Sequence, residues 1–118
     1  MNIEEIRHYC LSKKGATESF PFDDKTLVFK VMGKMFALAA LEYNPPSINL
    51  KCDPERAEEL REEYSGLEPG YHMNKKHWNT VVFDGSFEDD LAKRWIDDSY
   101  ELIVLSLTKK LKIELETL

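Results

Sequence analysis

The run Thr26-Leu-Val-Phe-Lys-Val-Met32, followed by Gly33-Lys34 and then Met35-Phe-Ala-Leu-Ala-Ala-Leu41, constrains the fold more than any other stretch of the chain. Its first half is rich in β-branched and aromatic residues, which suit a pleated, half-buried surface. Gly33 tolerates the positive φ that a tight turn needs, so Gly33-Lys34 is predicted to close a β-hairpin. Side chains alternate along a strand, so Leu27, Phe29 and Val31 share one face and Val28, Lys30 and Met32 the other. Asn44-Pro45-Pro46 ends the hairpin, because proline cannot donate to a ladder. Ser47-Ile-Asn-Leu-Lys51 alternates polar and apolar, the pattern of a half-buried third strand.

An apolar sheet face has to be covered, and the flanking segments supply helices. Asn2 can cap a first helix, with Glu5 at the capping-box position. Ile3, Ile6, Tyr9 and Cys10 fall on one helical face, the stem of Lys13 extends it, and Gly15 is a natural stop. Ala16 to Asp24 is expected to be a loop, with Phe20-Pro21-Phe22 packed as a lid over a sheet edge. Asp53-Pro54 is a strong helix start, an acid at the N-cap followed by proline at the first helical position. Ala57, Leu60, Arg61 and Tyr64 continue it, with a solvated Glu-rich face opposite. Ser65 to Gly70 is expected to be a loop, Trp78 to Phe83 a strand, and Asp84-Gly85 a turn. Ser86 is the expected cap of the last helical region. Leu91, Trp95, Ser99, Ile103 and Leu107, widened by Ile96, Tyr100 and Val104, form its buried stripe. Asp97-Asp98-Ser99 could instead end one helix and cap another. Lys109, Lys110 and Lys112 are expected near the negative pole of that region's dipole. The prediction is one α+β domain over 1–118: a two-layer sandwich with an antiparallel sheet of about five strands covered by helices, in the order α-β-β-β-α-β-β-α.

Composition limits the function classes. Hydrophobic residues make up 42% and charged residues 32%, the balance of a packed soluble domain rather than a disordered one. The net charge of −6 argues against broad charge-driven nucleic-acid binding but leaves room for a local basic patch. Cys10 and Cys52 are far apart and show no zinc-site spacing, so both are expected as free thiols in a reducing compartment. No apolar run is long enough to span a bilayer, and the N-terminal residues do not resemble a signal peptide. A cytoplasmic location without membrane contact is therefore expected.

The stretch Pro69-Gly-Tyr-His-Met-Asn-Lys-Lys-His-Trp-Asn-Thr-Val81 stands apart from this pattern. It lies inside an acid-free run from 69 to 83 in an otherwise acidic chain, and it concentrates aromatic, His, Asn and Lys residues. Lys75 and Lys76 could meet phosphates, Asn74 and Asn79 could hydrogen-bond, and Tyr71 or Trp78 could stack on a base. Lys30, Lys34 and Lys51 could add charge. Equally, Trp78 and Met73 could be core, Asn74 a turn residue, and the lysines merely solvated. His72 and His77 lack further ligands at metal-site spacing, so no metal is expected. There is no Gly-x-Ser-x-Gly elbow, phosphate loop or Gly-rich dinucleotide turn. The expectation is a non-enzymatic, cofactor-free binding protein whose contact residues are Tyr71, His72, Asn74, Lys75, Lys76, His77, Trp78 and Asn79. Its partner would be DNA or, alternatively, a protein or small ligand held in an aromatic groove.

The same stretch resembles the signature of the MmcQ/YjbR family of small bacterial proteins. The likeness extends to Phe20-Pro-Phe22, Phe29-Lys-Val-Met-Gly-Lys-Met-Phe-Ala37, Asn49-Leu-Lys-Cys-Asp-Pro54, Asp97-Asp-Ser-Tyr-Glu-Leu102 and Leu107-Thr-Lys-Lys-Leu111. The resemblance implies a two-layer fold similar to frataxin or secretion chaperones. It also implies the family's usual label, a DNA-binding protein with a "double wing" motif.

Overall fold

The hairpin forms the middle of a six-stranded antiparallel sheet with strand order β1-β2-β3-β4-β6-β5. The structure, a computed structural model, describes residues 1–70 and 73–118. Its elements are α1 (Ile3–Leu11), β1 (Ala16–Ser19), β2 (Thr26–Val31), β3 (Lys34–Ala40), β4 (Ser47–Lys51), α2 (Pro54–Glu63), β5 (Leu67–Pro69), β6 (Trp78–Val82), α3 (Asp89–Ser106) and α4 (Lys109–Glu116). This is the expected two-layer α+β sandwich, with one more strand and one more helix than predicted.

The hairpin turn sits one residue earlier than expected. Met32 and Gly33 both have positive φ, at 49° and 84°, and Lys34 already pairs with Val31. Two successive left-handed residues match the twist of the flanking strands, and glycine takes the second of them at no steric cost. Leu27, Phe29 and Val31 join the main core as predicted, and Val28 joins a separate cluster on the other face. Met32, expected beside Val28, packs against the main core instead, because it lies in the turn with a positive φ, past the end of the alternating strand.

The register of β3 slips once. Phe29 opposes Ala37 while Lys30 opposes Met35, so Phe36 is the extra residue of a β-bulge. The bulge turns both Phe36 and Ala37 into the main core, where Phe36 meets Tyr100 edge-on at 5.4 Å. The ladder between β3 and β4 ends beside the bulge, at Ala37 and Leu50, leaving a gap between Phe36 and Lys51. Ser99, on α3, bridges the gap: its hydroxyl donates to Phe36 O at 2.6 Å and accepts from Lys51 N at 2.9 Å. A fully buried serine in the middle of an apolar stripe is thereby explained.

The other differences are local. Asn2 and Glu5 form the expected capping box, but α1 ends at Leu11 with Ser12 as its cap, before Gly15. The segment expected as a loop from Ala16 contains β1, an edge strand paired with β2. Its continuation is no lid, because Phe20 and Phe22 are both exposed. A short β5 lies within the expected 65–70 loop, paired with β6. Ser86 does not cap α3; its hydroxyl accepts from Gly66 N, and Glu88 precedes the helix without a side-chain cap. The last helical region breaks at Leu107 rather than within 97–99, and Thr108 caps α4 by accepting from Leu111 N. Lys109 and Lys110 consequently open α4 instead of closing a long helix.

The main core lies between the sheet and the helices. Trp95 is its aromatic centre, 4.9 Å from Phe87 and 5.3 Å from Tyr64 between ring centroids. Among the described residues, the opposite face of the sheet carries only the small cluster of Val28, Leu38 and Trp78, with Met35 and Met73 packed against it. No helix residue belongs to that cluster, and this helix-free face positions the candidate site. Among the described residues, no helix is long and apolar enough to cross a membrane.

Candidate functional site

The described part of the 69–81 stretch is a short return between β5 and β6. At its closed end Gly70 N donates to Trp78 O at 2.9 Å. A Cβ on Gly70 would stand 3.0 Å from both Trp78 Cβ and Trp78 O, so this approach requires the absent side chain. Asn74 builds the turn that follows. Its carbonyl accepts from His77 N and Trp78 N, and its Oδ1 accepts from Lys76 N at 2.9 Å. His77 O then accepts from Cys52 N at 2.7 Å, extending the β4–β6 ladder beyond Trp78.

These bonds decide what each candidate residue can do. Trp78 is 8% exposed and packs with Val28 and Leu38, so its ring is closed to a stacking partner. Met73 leans on the same cluster and folds the turn over the helix-free face. Asn74, Lys75 and Lys76 are exposed, and His77 is half-buried. Asn79 points the other way. It is 2% exposed, and its Nδ2 donates to Ala57 O of α2 at 3.3 Å. Turning the amide over would set two oxygens against each other, so Oδ1 is the atom left buried without a partner among the described residues. Asn79 therefore leaves the contact set: the strand's two-residue alternation sends it under α2, while Trp78 and Thr80 face outward. Tyr71 and His72 lie outside the described residues.

Two further lysines share the outward face. Alternation from the buried Phe29 and Val31, and from Ile48 and Leu50, puts Lys30 and Lys51 there, and Lys51 is paired in register with Trp78. Asn49 and Thr80 lie between the strands, with Thr80 Oγ1 donating to Asn49 Oδ1 at 2.7 Å. Lys34 does not join them. Its Nζ donates to Ser106 O at 3.2 Å, at the C-terminal end of α3, where a cation meets unpaired helix carbonyls. Glu68, which pairs with Thr80, brings a carboxylate onto the same face, so the run that is free of acids in sequence is not free of them in space.

Neither thiol is shifted toward the thiolate. Burial pushes the Cys10 thiol up to about 12. Burial also raises that of Cys52, with the neighbouring charges of Asp53 and Asp98 acting in the same direction. Among the described residues, no three His, Cys, Asp or Glu side chains gather as metal ligands.

Comparison with known proteins places relatives along nearly the whole chain. The YjbR family model matches residues 11–102. The chain is 40% identical over 104 residues to the uncharacterized protein YjbR of Escherichia coli K12, covering 88% of each. It is also 40% identical over 91 residues to the uncharacterized protein YbdF of Escherichia coli O157:H7, covering 77% of this chain and 75% of that one. A crystal structure of a Deinococcus radiodurans protein matches with a TM-score of 0.90 at 41% identity, over 98% of this chain and 88% of that one. A Pseudomonas syringae protein matches with a TM-score of 0.74 at 29% identity, over 86% of this chain and 98% of that one.

Proposed function

The chain belongs to the YjbR family, and we propose that it is a small non-enzymatic binding protein that takes an anionic partner, DNA, on the helix-free face of its sheet. One observation carries this: Lys30 and Lys51 project from the same face over which the Lys75-Lys76 turn is folded. Phosphates recognise such a group of ammonium ions without base-specific contacts. The net charge of −6 confines contact to this patch, and Glu68 confines it further to the side away from β5. Base stacking plays no part for Trp78, which is buried in the sheet's small second cluster. Recognition is thus of the backbone, with Asn74 holding the lysine turn in shape.

A mobility-shift titration at two salt concentrations tests the proposal. Wild type should bind at low salt, and the slope of log affinity against log salt should flatten by roughly two units for Lys75→Ala with Lys76→Ala. Lys30→Ala with Lys51→Ala should do the same, and neither pair should move the melting temperature much. Absence of wild-type binding at low salt, or binding indifferent to both double substitutions, would sink the DNA proposal. A salt-independent interaction would point instead to an adaptor with an apolar contact.

A further inference from the structure

The opposite end of the sheet carries a second surface that the lysine patch does not use. Thr26 pairs with Ala40, and Ala40 with Ser47, so the connections 20–25 and 41–46 leave the sheet side by side. Leu41 N donates to Lys25 O at 2.9 Å and ties them together. Every residue from Phe20 to Lys25, and from Glu42 to Pro45, is exposed. Within this surface Phe20 is 49%, Phe22 65% and Tyr43 66% exposed. Large rings set out in water at adjoining loop tips leave their transfer free energy unused in the fold and are a common mark of a contact surface.

The backbone between Phe22 and β2 is tied down. Asp23 Oδ1 accepts from Lys25 N at 2.9 Å and Thr26 N at 2.8 Å, and Pro21 fixes the backbone between the two phenylalanines. The third connection at this end, 83–88, joins through Phe83 N donating to Pro46 O at 3.0 Å. The charge is one-sided: Asp23, Asp24, Glu42, Asp84 and Glu88 stand against Lys25 alone among the residues of 20–25, 41–46 and 83–88, and Lys25 pairs with Glu42 at 3.6 Å. The backbone bonds to Asp23, and the Ser86 bonds to Asp84, hold both carboxyls below the usual range, so they are fully ionised at neutral pH.

We propose that Phe20, Phe22 and Tyr43 form a docking tip for a basic, apolar segment of another protein. The rings supply apolar contact and accept cations on their faces, and the surrounding carboxylates pair with Lys or Arg. The same carboxylates repel phosphate, which sets this surface apart from the lysine patch and excludes an anionic lipid surface.

Two-dimensional NMR of the ¹⁵N-labelled chain tests this, with a capped peptide of alternating Lys and Leu as the probe. A peptide of alternating Glu and Leu, and vesicles of zwitterionic or anionic phospholipid, serve as counter-probes. The Lys–Leu peptide should shift amides in 20–25 and 41–46 and leave those of Lys30, Lys51, Lys75 and Lys76 in place. Phe22→Ala with Tyr43→Ala should weaken it by about tenfold or more, as for paired aromatic anchors. Asp24→Lys with Glu42→Lys keeps the rings, reverses the charge and should abolish the response, so an effect of ring removal on folding cannot mimic the result. No shifts, shifts centred elsewhere, an equal response to the Glu–Leu peptide, or binding to vesicles instead would each overturn the proposal.

Discussion

Replacing Ser99 with alanine tests how the bulged sheet is held together. Its hydroxyl is the sole side-chain bridge between Phe36 O and Lys51 N among the described residues, at 2.6 and 2.9 Å, and the side chain is fully buried. Ser99→Ala removes a donor and an acceptor at once and leaves two backbone groups without partners in the core. Each such group costs about 1–3 kcal/mol, against which the buried hydroxyl's own desolvation is recovered. The net loss should be about 2–4 kcal/mol, a large fraction of the stability of a domain this size. Urea unfolding followed by circular dichroism gives the free energy, and amide exchange gives a residue-specific check: protection of the Lys51 amide should fall more than that of Ile48 or Leu50, which keep their ladder partners. A loss below about 1 kcal/mol with Lys51 still protected would show that the strands re-pair directly once the hydroxyl is gone, refuting the bridging role.

Other perturbations follow from the same packing. Asn79→Leu gives up one hydrogen bond, about 0.5–1.5 kcal/mol, but removes an unpartnered acceptor worth about 1–3 kcal/mol, so chemical denaturation should find the variant as stable as wild type or more so; a clear loss would mean that Oδ1 is satisfied in solution. Trp95→Ala should cost about 3–5 kcal/mol, with Trp78→Ala toward the lower end because its cluster is smaller, and a thermal shift of only a degree or two for Trp95→Ala would contradict its central place. In thiol labelling under native conditions Cys52 should react first and Cys10 only on unfolding, since Cys10 is fully buried and its thiol is pushed up to about 12; equal rates would contradict the placement of α1. Asp23 has a folded pKa lowered by the Lys25 and Thr26 amides, so its contribution is present at neutral pH and lost only as pH falls through that lowered value, under the ordinary carboxylate range; the Lys25 and Thr26 amide shifts should stay constant until then and then move, whereas a transition near neutrality would refute the turn.

Period and punctuation in the sequence determined most of the architecture. The hairpin, the Ser47–Lys51 strand, the Asn2 and Asp53 caps and the Trp95 stripe all rest on local rules, the two-residue and 3.6-residue periods and the chemistry of helix ends. Such rules act within a few residues and can be read in one dimension. β1, the strand beyond the predicted order, and β5, which lies where a loop was expected, are short edge strands that owe their existence to a neighbour's unpaired backbone rather than to their own composition. Only the tertiary structure revealed the bulge at Phe36, because a register slip depends on both strands and on Ser99 arriving from α3. The candidate site divides along the same line. Asn74 as a turn residue and Lys75 and Lys76 as exposed cations were legible locally. Removing Asn79 from the contact set, turning Lys34 toward α3, bringing Glu68 onto the lysine face and leaving Phe20 and Phe22 in water were decisions of the fold, since each depends on which element lies across the sheet and what it leaves uncovered.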